Sequence, residues 1–237
     1  MCEQKNLNEE AENLRDQYEE YVLDCSAAIG YVLERIKPLK ESMKRDPNRP
    51  YSLIDKIGYR IKTFASAIDK CDKKRRELCT NGEELEYSEE LEDRIDIEEV
   101  KKYVKDVAGV RIITPFEDDI FKLVEIIKKL PHLNIRKEKD YITNPKSNGY
   151  EGYHLIMEVE VFVPEPKWVP VEVQIRDLTM DAWATIEHIT RYKKDNIHAI
   201  SDEKYRGLAD DLAKARKTAM ELRNSSANYE QQETRSE

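Results

Sequence analysis

Apolar side chains recur at helical spacing through the N-terminal part of the chain. Between residues 8 and 44 they are separated by charged residues, which predicts one long amphipathic helix or two shorter ones, broken near Pro38 or Pro47. Residues 51–78 are also helix-like, and a turn signal then opens an acidic stretch to about residue 96, where we expect a loop and a short helix. The N-terminal part is therefore predicted to be mainly helical.

The centre of the chain shows the pattern of strands instead. The β-branched run Val107–Thr114 suits a buried strand, and an acid-rich start followed by helical spacing predicts a helix over residues 117–130. Further strands are predicted at residues 134–142, 154–163 and 170–176, the last two joined by a Pro-rich turn. The sheet is therefore expected to begin near residue 107.

The strand predicted at residues 170–176 carries three functional groups on one face. Every second residue from Val171 is apolar, so these side chains share one face, and Glu172, Gln174 and Arg176 share the other. A carboxylate, an amide and a guanidinium side by side indicate a functional surface rather than a packing surface.

Helical spacing returns in the C-terminal part, and the order of elements predicts the fold class. Helices are expected at residues 178–193 and 202–222, followed by a polar tail, Asn224–Glu237, that we expect to be disordered. Helices, then a sheet with interspersed helices, then helices again predict an α+β fold with a mixed β-sheet flanked by helices. The predicted parts are an N-terminal helical extension (1–49), a central domain (50–195), and a C-terminal helix with the polar tail (196–237).

Charge limits the classes of partner. The chain has 237 residues, 39% of them hydrophobic and 38% charged, with a net charge of −9. This balance argues against broad attraction to nucleic acid or to an anionic membrane, so any phosphate site must be local. No apolar run approaches the roughly 18 residues of a membrane span, and the N-terminus lacks the apolar core of a secretory signal. We therefore expect a cytoplasmic protein.

Several common site motifs do not occur in the sequence. The four cysteines and four histidines lack zinc-ligand spacing, and we interpret the cysteines as small apolar residues on helices rather than nucleophiles. There is neither a Gly-x-x-x-x-Gly-Lys-Ser/Thr loop nor a Gly-x-Gly-x-x-Gly motif. A nucleotide enzyme built on this chain must therefore hold phosphates with cationic side chains.

Candidate phosphate and metal ligands lie at several separate positions. On the predicted helix over residues 51–78, Lys62, Ser66 and Lys70 share one face and could clamp a polyphosphate, although basic helix faces are usually only solvated. Asp106 and Glu172 are carboxylates at strand positions, where a hard cation such as Mg²⁺ could bridge to phosphates. In residues 140–154 a turn leads into aromatic residues and a histidine, which indicates a nucleotide site.

Together these segments resemble the synthetase domain of the RelA/SpoT family, over about residues 50–195, and its small stand-alone alarmone synthetases. The matching segments are Arg60-Ile61-Lys62 with Ser66 and Lys70; Asp106-Val107-Ala108-Gly109-Val110-Arg111; Asp140-Tyr141-Ile142 with Asn144-Pro145-Lys146 and Asn148-Gly149-Tyr150; His154; Glu172-Val173-Gln174-Ile175-Arg176; and Trp183 with Glu187-His188 and Tyr192-Lys193. The resemblance implies a nucleotidyltransferase-like synthetase domain with helical extensions.

The resemblance also implies a reaction and its residues. The β,γ-pyrophosphate of ATP would move to the 3′-hydroxyl of GTP or GDP, giving pppGpp or ppGpp and AMP. Asp106 and Glu172 would be catalytic and would hold Mg²⁺, with Glu172 as general base on the 3′-hydroxyl. ATP would be bound by Arg60, Lys62, Ser66, Lys70 and Arg111, with Arg60 on the adenine. The acceptor would be bound by Lys146, Asn148, Tyr150, His154, Gln174 and Arg176, with Tyr150 stacking on guanine.

The chain departs from the family pattern beside the acceptor motif. Glu151, Gly152 and Tyr153 stand where the family has Arg or Gln, then Ser and Leu, and Asp177 stands where a Thr is common. An anion in place of a cation is expected to weaken contacts to acceptor phosphates or to shift the acceptor preference. Two alternatives therefore stay open: a toxin-like relative that uses the 3′ end of tRNA or an adenine nucleotide, and a catalytically silent nucleotide-binding module.

The resemblance carries two further expectations. No ligand-like spacing of the family's His-Asp hydrolase motif occurs before residue 50, so we expect synthesis without degradation. Apolar stripes on the terminal helices could pack between subunits, and small family members are often homotetramers, so a homo-oligomer is expected. The acidic balance counts against tRNA as a partner.

Overall fold

Five strands and six helices make up the described part of the chain, in a computed structural model that describes residues 2–45, 51–80, 95–162, 164–192 and 200–233. In chain order the elements are α1 (Cys2–Lys44), β1 (Lys56–Ile61), α2 (Phe64–Thr80), α3 (Ile97–Tyr103), β2 (Ala108–Thr114), α4 (Glu117–Ile127), β3 (Leu133–Asp140), β4 (Tyr153–Phe162), β5 (Pro166–Asp177), α5 (Leu178–Tyr192) and α6 (Asp202–Glu233).

The strands form one mixed sheet in the order β1-β2-β5-β4-β3. Strands β2 and β5 run parallel, and the three other neighbouring pairs are antiparallel. The parallel pair lies at the centre, where both faces are covered or occupied by functional groups, as is usual for parallel strands. The predicted α+β fold, with a mixed sheet between helices, is confirmed.

One face of the sheet is the hydrophobic core. Val171, Val173 and Ile175 are fully buried there, and helices α1 and α4 pack across this face. Helix α1 contributes residues at helical spacing, such as Cys25 and Val32, both fully buried. The opposite face of the sheet carries the polar side chains of β5, and α5 contacts β5 and β2. None of the helices within the described ranges is long and apolar enough to cross a membrane.

The helix predicted over residues 51–78 is wrong in its first half. Residues Lys56–Ile61 form the edge strand β1, antiparallel to β2, and the helix α2 starts only at Phe64. The six residues of β1 alternate apolar and polar or small side chains, and pairing with β2 satisfies backbone groups that a local pattern assigned to a helix. Lys62 therefore lies between β1 and α2 and does not share a helix with Lys70.

Three other expectations, for the N-terminal helix, the acidic segment and the C-terminal tail, have different outcomes. Pro38 does not break α1, which continues to Lys44, so the chain forms one long helix. The predicted break at Pro47 and most of the acidic segment, residues 81–94, lie outside the described residues. The prediction of a disordered tail from Asn224 is wrong as far as Glu233, because α6 continues to that residue. No Gly or Pro interrupts this segment, and adding a residue to an existing helix is far easier than nucleating one.

Candidate active site

The polar face of the sheet has a cavity over β1 and β2. In the cross-strand register Arg60 pairs with Gly109, which pairs with Glu172, and Gly58 pairs with Arg111, which pairs with Gln174. Because the two glycines carry no side chain, they leave a hollow between the flanking side chains. The cavity measures about 210 Å³, and Arg60, Arg111 and Gln174 are among its lining residues.

One aspartate, Asp106, lies just before β2 and pairs with two lysines. The Nζ atoms of Lys62 and Lys70 lie 3.1 Å and 2.9 Å from Oδ2 of Asp106. The other carboxylate oxygen, Oδ1, is buried and has no hydrogen-bond partner among the residues that the structure describes. Ser66, in the first turn of α2, accepts a 2.9 Å hydrogen bond from the hydroxyl of Thr63. The structure thus joins two residues of the predicted strip, Lys62 and Lys70, through a carboxylate.

Five polar side chains form a closed hydrogen-bonded ring over β5 and β4. Gln174 donates to Glu172 at 2.7 Å, and Arg176 donates to Gln174 at 2.9 Å. Arg176 also donates through Nε and Nη2 to the hydroxyl of Tyr150, at 3.2 Å and 3.0 Å. That hydroxyl lies 2.6 Å from Nε2 of His154, whose Nδ1 lies 3.1 Å from Glu172. We refer to these five residues as the polar ring.

Two chains of hydrogen bonds in the polar ring start at Arg176, and both end at Glu172. If His154 is neutral with its proton on Nδ1, Tyr150 donates to Nε2 and His154 donates to Glu172. Burial lowers the pKa of His154, which favours this neutral form. Burial alone would raise the pKa of Glu172, but the hydrogen bonds that it accepts, from His154 first and then from Gln174, hold it at about 2. Glu172 is therefore ionised at neutral pH, although the residue is only 7% exposed.

The aromatic ring of Tyr150 is enclosed rather than open to a ligand. Tyr150 is 8% exposed, and its ring lies 5.8 Å from those of Tyr141 and Trp183. Lys146 and Arg176 both lie over it, at 4.8 Å and 5.2 Å from the centroid. Lys146 also lies 4.7 Å from the centroid of Tyr141. Tyr141, the more exposed of the two tyrosines, was part of the sequence resemblance but was not predicted to bind a ligand.

The loop before Tyr150 is a turn that its own side chains hold. Asn148 accepts a 3.2 Å hydrogen bond from the backbone of Tyr150 through its side-chain oxygen. Gly149 has φ of +87°, a region that favours glycine, and a Cβ there would come within 2.9 Å of Ala209 on α6. The sequence-predicted Asn148 is therefore bound within the turn, and α6 lies directly against the turn.

Asp181 is a site residue that the sequence did not reveal. Its Oδ1 lies 3.6 Å from Arg111 and 3.3 Å from Arg176, so one carboxylate links an arginine of the cavity with one of the polar ring. Burial and the neighbouring Arg176 lower the pKa of Arg111, and Asp181 opposes this effect. The only signal in the sequence was an acidic residue in the first turn of α5, a common helix feature. Lys193, a residue of the resemblance, lies outside the described residues.

The donor set for a metal consists of few protein groups. Within the described ranges, no three His, Cys, Asp or Glu side chains are grouped so that they could hold an ion together. Mg²⁺ often takes only one or two protein carboxylates and completes its shell with water and substrate phosphates. The unpartnered Oδ1 of Asp106 fits that mode of binding, since a buried carboxylate oxygen without a partner is unfavourable.

Comparison with known proteins gives consistent matches. Residues 59–197 match the pattern described as the region found in RelA/SpoT proteins. GTP pyrophosphokinase YwaC of Bacillus subtilis is 38% identical over 60% of this chain and 60% of its own length, and GTP pyrophosphokinase YjbM of the same organism is 29% identical over 75% and 74%. The crystal structure of small alarmone synthetase 1 from Bacillus subtilis, bound to its product pppGpp, superposes with a TM-score of 0.75 at 26% identity, covering 88% of this chain and 97% of that one.

Proposed function

The chain belongs to the RelA/SpoT family, and we propose that it transfers the β,γ-pyrophosphate of ATP to the 3′-hydroxyl of GTP or GDP, releasing AMP. One observation carries the proposal. Glu172 belongs to the polar ring and lies in the cross-strand row next to Gly109, which lines the cavity over β1 and β2. A carboxylate where the cavity meets the polar ring is where a group would pass from a donor to an acceptor. The names and bound product of the similar proteins support the same reaction.

We assign the donor ATP to the cavity side. The two glycines leave room for a flat base against the sheet, and Arg60 and Arg111 flank it. Lys62 and Lys70 would face the phosphates, because both already pair with Asp106, three residues before Gly109 of the cavity. Ser66 and the neighbouring turn of α2 would add hydroxyl and backbone donors. Because the net charge of −9 gives no general attraction to phosphates, a phosphate site needs local cations, and these side chains would supply them.

Asp106 and Glu172 would hold Mg²⁺, Asp106 through its unpartnered Oδ1, and the ion would neutralise charge on the transferred phosphates. Glu172 itself acts on the acceptor. With a pKa of about 2 it is a weak base before substrate binds, so its first task is to accept a hydrogen bond from the 3′-hydroxyl and orient it. It takes the proton as the new oxygen–phosphorus bond forms, which fits the loose transition state of phosphoryl transfer.

The acceptor side consists of the polar ring and the turn before it. Gln174, Arg176 and His154 present their polar groups toward one another beside Glu172, and Lys146 lies at the exposed edge. Stacking of guanine on Tyr150 would require Lys146 to move off its ring. Tyr141, half-buried and facing the same lysine, is available for stacking without breaking the polar ring.

The function is tested with purified protein, labelled ATP and Mg²⁺, and separately GTP, GDP, GMP, ATP or tRNA, followed by chromatography. We expect AMP and a 3′-pyrophosphorylated guanosine nucleotide with GTP or GDP. Glu172→Gln should abolish the transfer while the circular dichroism spectrum stays unchanged. The matched control is Glu160→Gln, an exposed glutamate on β4, which should retain wild-type rates. Transfer to none of the acceptors would overturn the proposal and leave a silent nucleotide-binding module.

The same assay decides the other open expectations about substrates. Transfer to tRNA or to an adenine nucleotide in preference to GTP and GDP would identify a toxin-like relative. Glu151, the anion that raised that alternative, pairs with Arg216 of α6 in the structure. A homotetrameric assembly and a cytoplasmic location stay predictions, which light scattering and cell fractionation can test.

A further inference from the structure

One arginine of α6 forms ion pairs with three separate parts of the domain. Arg216 lies 2.9 Å from Glu117 at the start of α4, 2.6 Å from Glu151 in the loop before β4, and 3.6 Å from Asp177 at the end of β5. Its side chain is only 11% exposed, on the inward face of α6 that also buries Tyr205 and half-buries Leu212. A guanidinium suits this position because its planar fork of N–H groups can pair with several carboxylates at once. An ammonium is a compact point charge and lacks this geometry.

Two of these three partners directly follow members of the polar ring. Glu151 follows Tyr150, and Asp177 follows Arg176. Each of these two acids shares a peptide bond with its ring residue. A shift of the backbone at Glu151 or Asp177 therefore moves the side chain of Tyr150 or Arg176. Asp177 is additionally fixed by accepting from the backbone of Met180 at 2.8 Å. The ion pairs of Arg216 therefore tie together the two backbone segments between which the polar ring closes.

Arg216 compensates the charges of three neighbouring carboxylates. Three carboxylates would stand within a partly buried space without it, and burial and the neighbouring acids already raise the pKa of Glu117 against the pull of Arg216. Although burial alone would lower the pKa of Arg216, the close ion pair with Glu151 raises it, so Arg216 stays protonated. Its removal would leave Glu151 and Asp177 repelling each other next to the ring.

Other contacts place α6 against the same loop. A Cβ on Gly149 would meet Ala209 at 2.9 Å, so the turn and the helix are in close contact. Trp183, which packs against Tyr150, donates a 2.8 Å hydrogen bond to the carbonyl of Tyr205 on α6. Arg216 is thus the charged part of a longer contact between α6 and the turn.

We propose that Arg216 is a positioning residue for the acceptor side of the site: it holds Glu151 and Asp177, and through them Tyr150 and Arg176, in the geometry of the polar ring. Glu151, the anion that departs from the family pattern, faces α6 and acts through Arg216 rather than on the acceptor's phosphates. The kinetic consequences rest on the proposed pyrophosphate transfer, whereas the structural consequences do not.

The test is a double-mutant cycle of Glu151→Gln, Arg216→Gln and the two together. Hydrogen exchange of the amides of residues 148–154, measured without nucleotide, should accelerate at least tenfold in Arg216→Gln and several-fold in Glu151→Gln. The double variant should exchange no faster than Arg216→Gln alone, because both changes break one connection. Additive effects in the cycle would overturn the proposal, as would wild-type exchange in Arg216→Gln.

Kinetics separate the two possible roles of Glu151 by sign. If Glu151 acts through Arg216, Glu151→Gln raises the acceptor KM several-fold while the KM for ATP stays unchanged. If Glu151 faced the acceptor's phosphates, removing its charge would lower the acceptor KM, and this result would overturn the proposal. Should no variant, including wild type, transfer pyrophosphate, the proposed function fails, and the exchange measurements still decide the role of Arg216.

The matched control is Arg223→Gln. Arg223 lies on the same face of α6, two turns further along, and pairs with Asp118 at 2.7 Å, away from the polar ring. It should leave amide exchange at residues 148–154 and the acceptor KM at wild-type values, which separates positioning from general loosening of α6. An equal effect of Arg223→Gln would refute a specific role for Arg216. Arg216→Lys, which keeps the charge but not the fork, should restore part of the protection and serves if Arg216→Gln does not fold.

Discussion

The pH dependence of stability gives a direct measure of the polar ring through Glu172. Its pKa falls from an ordinary value of 4.5 to about 2 in the folded protein. A difference of that size corresponds to about 3 kcal/mol of folding free energy at neutral pH. The carboxylate is 10% exposed, so solvent screening reduces this figure little. The polar ring is therefore expected to stabilise the fold only while Glu172 is ionised.

The direction follows from the lowered pKa. The stabilisation is complete above the unfolded pKa of about 4.5 and is lost as pH falls toward the folded pKa, with about 2 kcal/mol gone by pH 3. His154 changes stability in the same direction, because burial lowers its pKa as well. The wild-type curve alone would therefore not identify Glu172, and a comparison with a variant that cannot titrate at this position is needed.

The assay is urea unfolding of wild type and Glu172→Gln at intervals between pH 6 and pH 3. Wild type should be more stable by about 3 kcal/mol at pH 6, and the difference should shrink toward about 1 kcal/mol at pH 3, because glutamine resembles the protonated acid. Glu160→Gln, on the exposed surface of β4, should follow the wild-type curve. A difference between wild type and Glu172→Gln that stays constant over this range would refute the reasoning, since Glu172 would then titrate as an ordinary glutamate.

Three further predictions concern the site and its surroundings. Tyr150→Phe removes the hydroxyl that links His154 to Arg176, takes the hydroxyl partner from Nε2 of His154 and from Nε of Arg176, and should lower the free energy of unfolding by about 2–4 kcal/mol in urea. Gly109→Leu places a side chain in the cavity and should raise the KM for ATP at least tenfold without changing the acceptor KM. Gly149→Ala combines a φ of +87° with a 2.9 Å contact to α6 and should lower the melting temperature by several degrees, corresponding to about 1–3 kcal/mol.

Each of these three has a control and a contrary outcome. Tyr59→Phe, at a tyrosine that is 67% exposed, should leave stability unchanged, and an equal loss in both variants would contradict the importance of the Tyr150 hydroxyl. Gly58→Leu should act as Gly109→Leu does, whereas unchanged ATP kinetics in both would place the donor elsewhere. Gly207→Ala, where an added Cβ meets nothing within 4 Å, should not destabilise. Equal melting temperatures for Gly149→Ala and wild type would show that the turn does not press on α6.

Local pattern alone determined most elements and the composition of the site. The alternation in residues 171–176 predicted the strand and the shared face of Glu172, Gln174 and Arg176, because successive side chains of any strand point to opposite faces. The β-branched run of β2 and the acidic start of α4 were also recognisable without tertiary information. These features depend only on residues near one another in the chain.

Where a prediction was wrong, the deciding interactions came from distant residues. The strand β1 exists because β2 offers it hydrogen-bond partners some fifty residues later in the chain, as in the pairing of Gly58 with Arg111. The helical spacing of residues 51–78 describes this segment in isolation, and no local pattern contains the competing ladder. The predicted strip of Lys62, Ser66 and Lys70 failed as a helix face for the same reason.

The amino-acid sequence by itself determined which chemical groups the protein has and which face of each strand carries them. Only the tertiary structure decided how those groups meet. The polar ring closes because the register of β4 against β5 sets His154 opposite Gln174, two pairs along the strands from Glu172 and on the same face. Arg216, more than sixty residues from Glu151 in the chain, pairs with it because α6 folds back onto the turn. Hydrogen bonds and ion pairs depend on distance in space, so the contacts of residues 148–151 with α6 do not appear in any local pattern of the sequence.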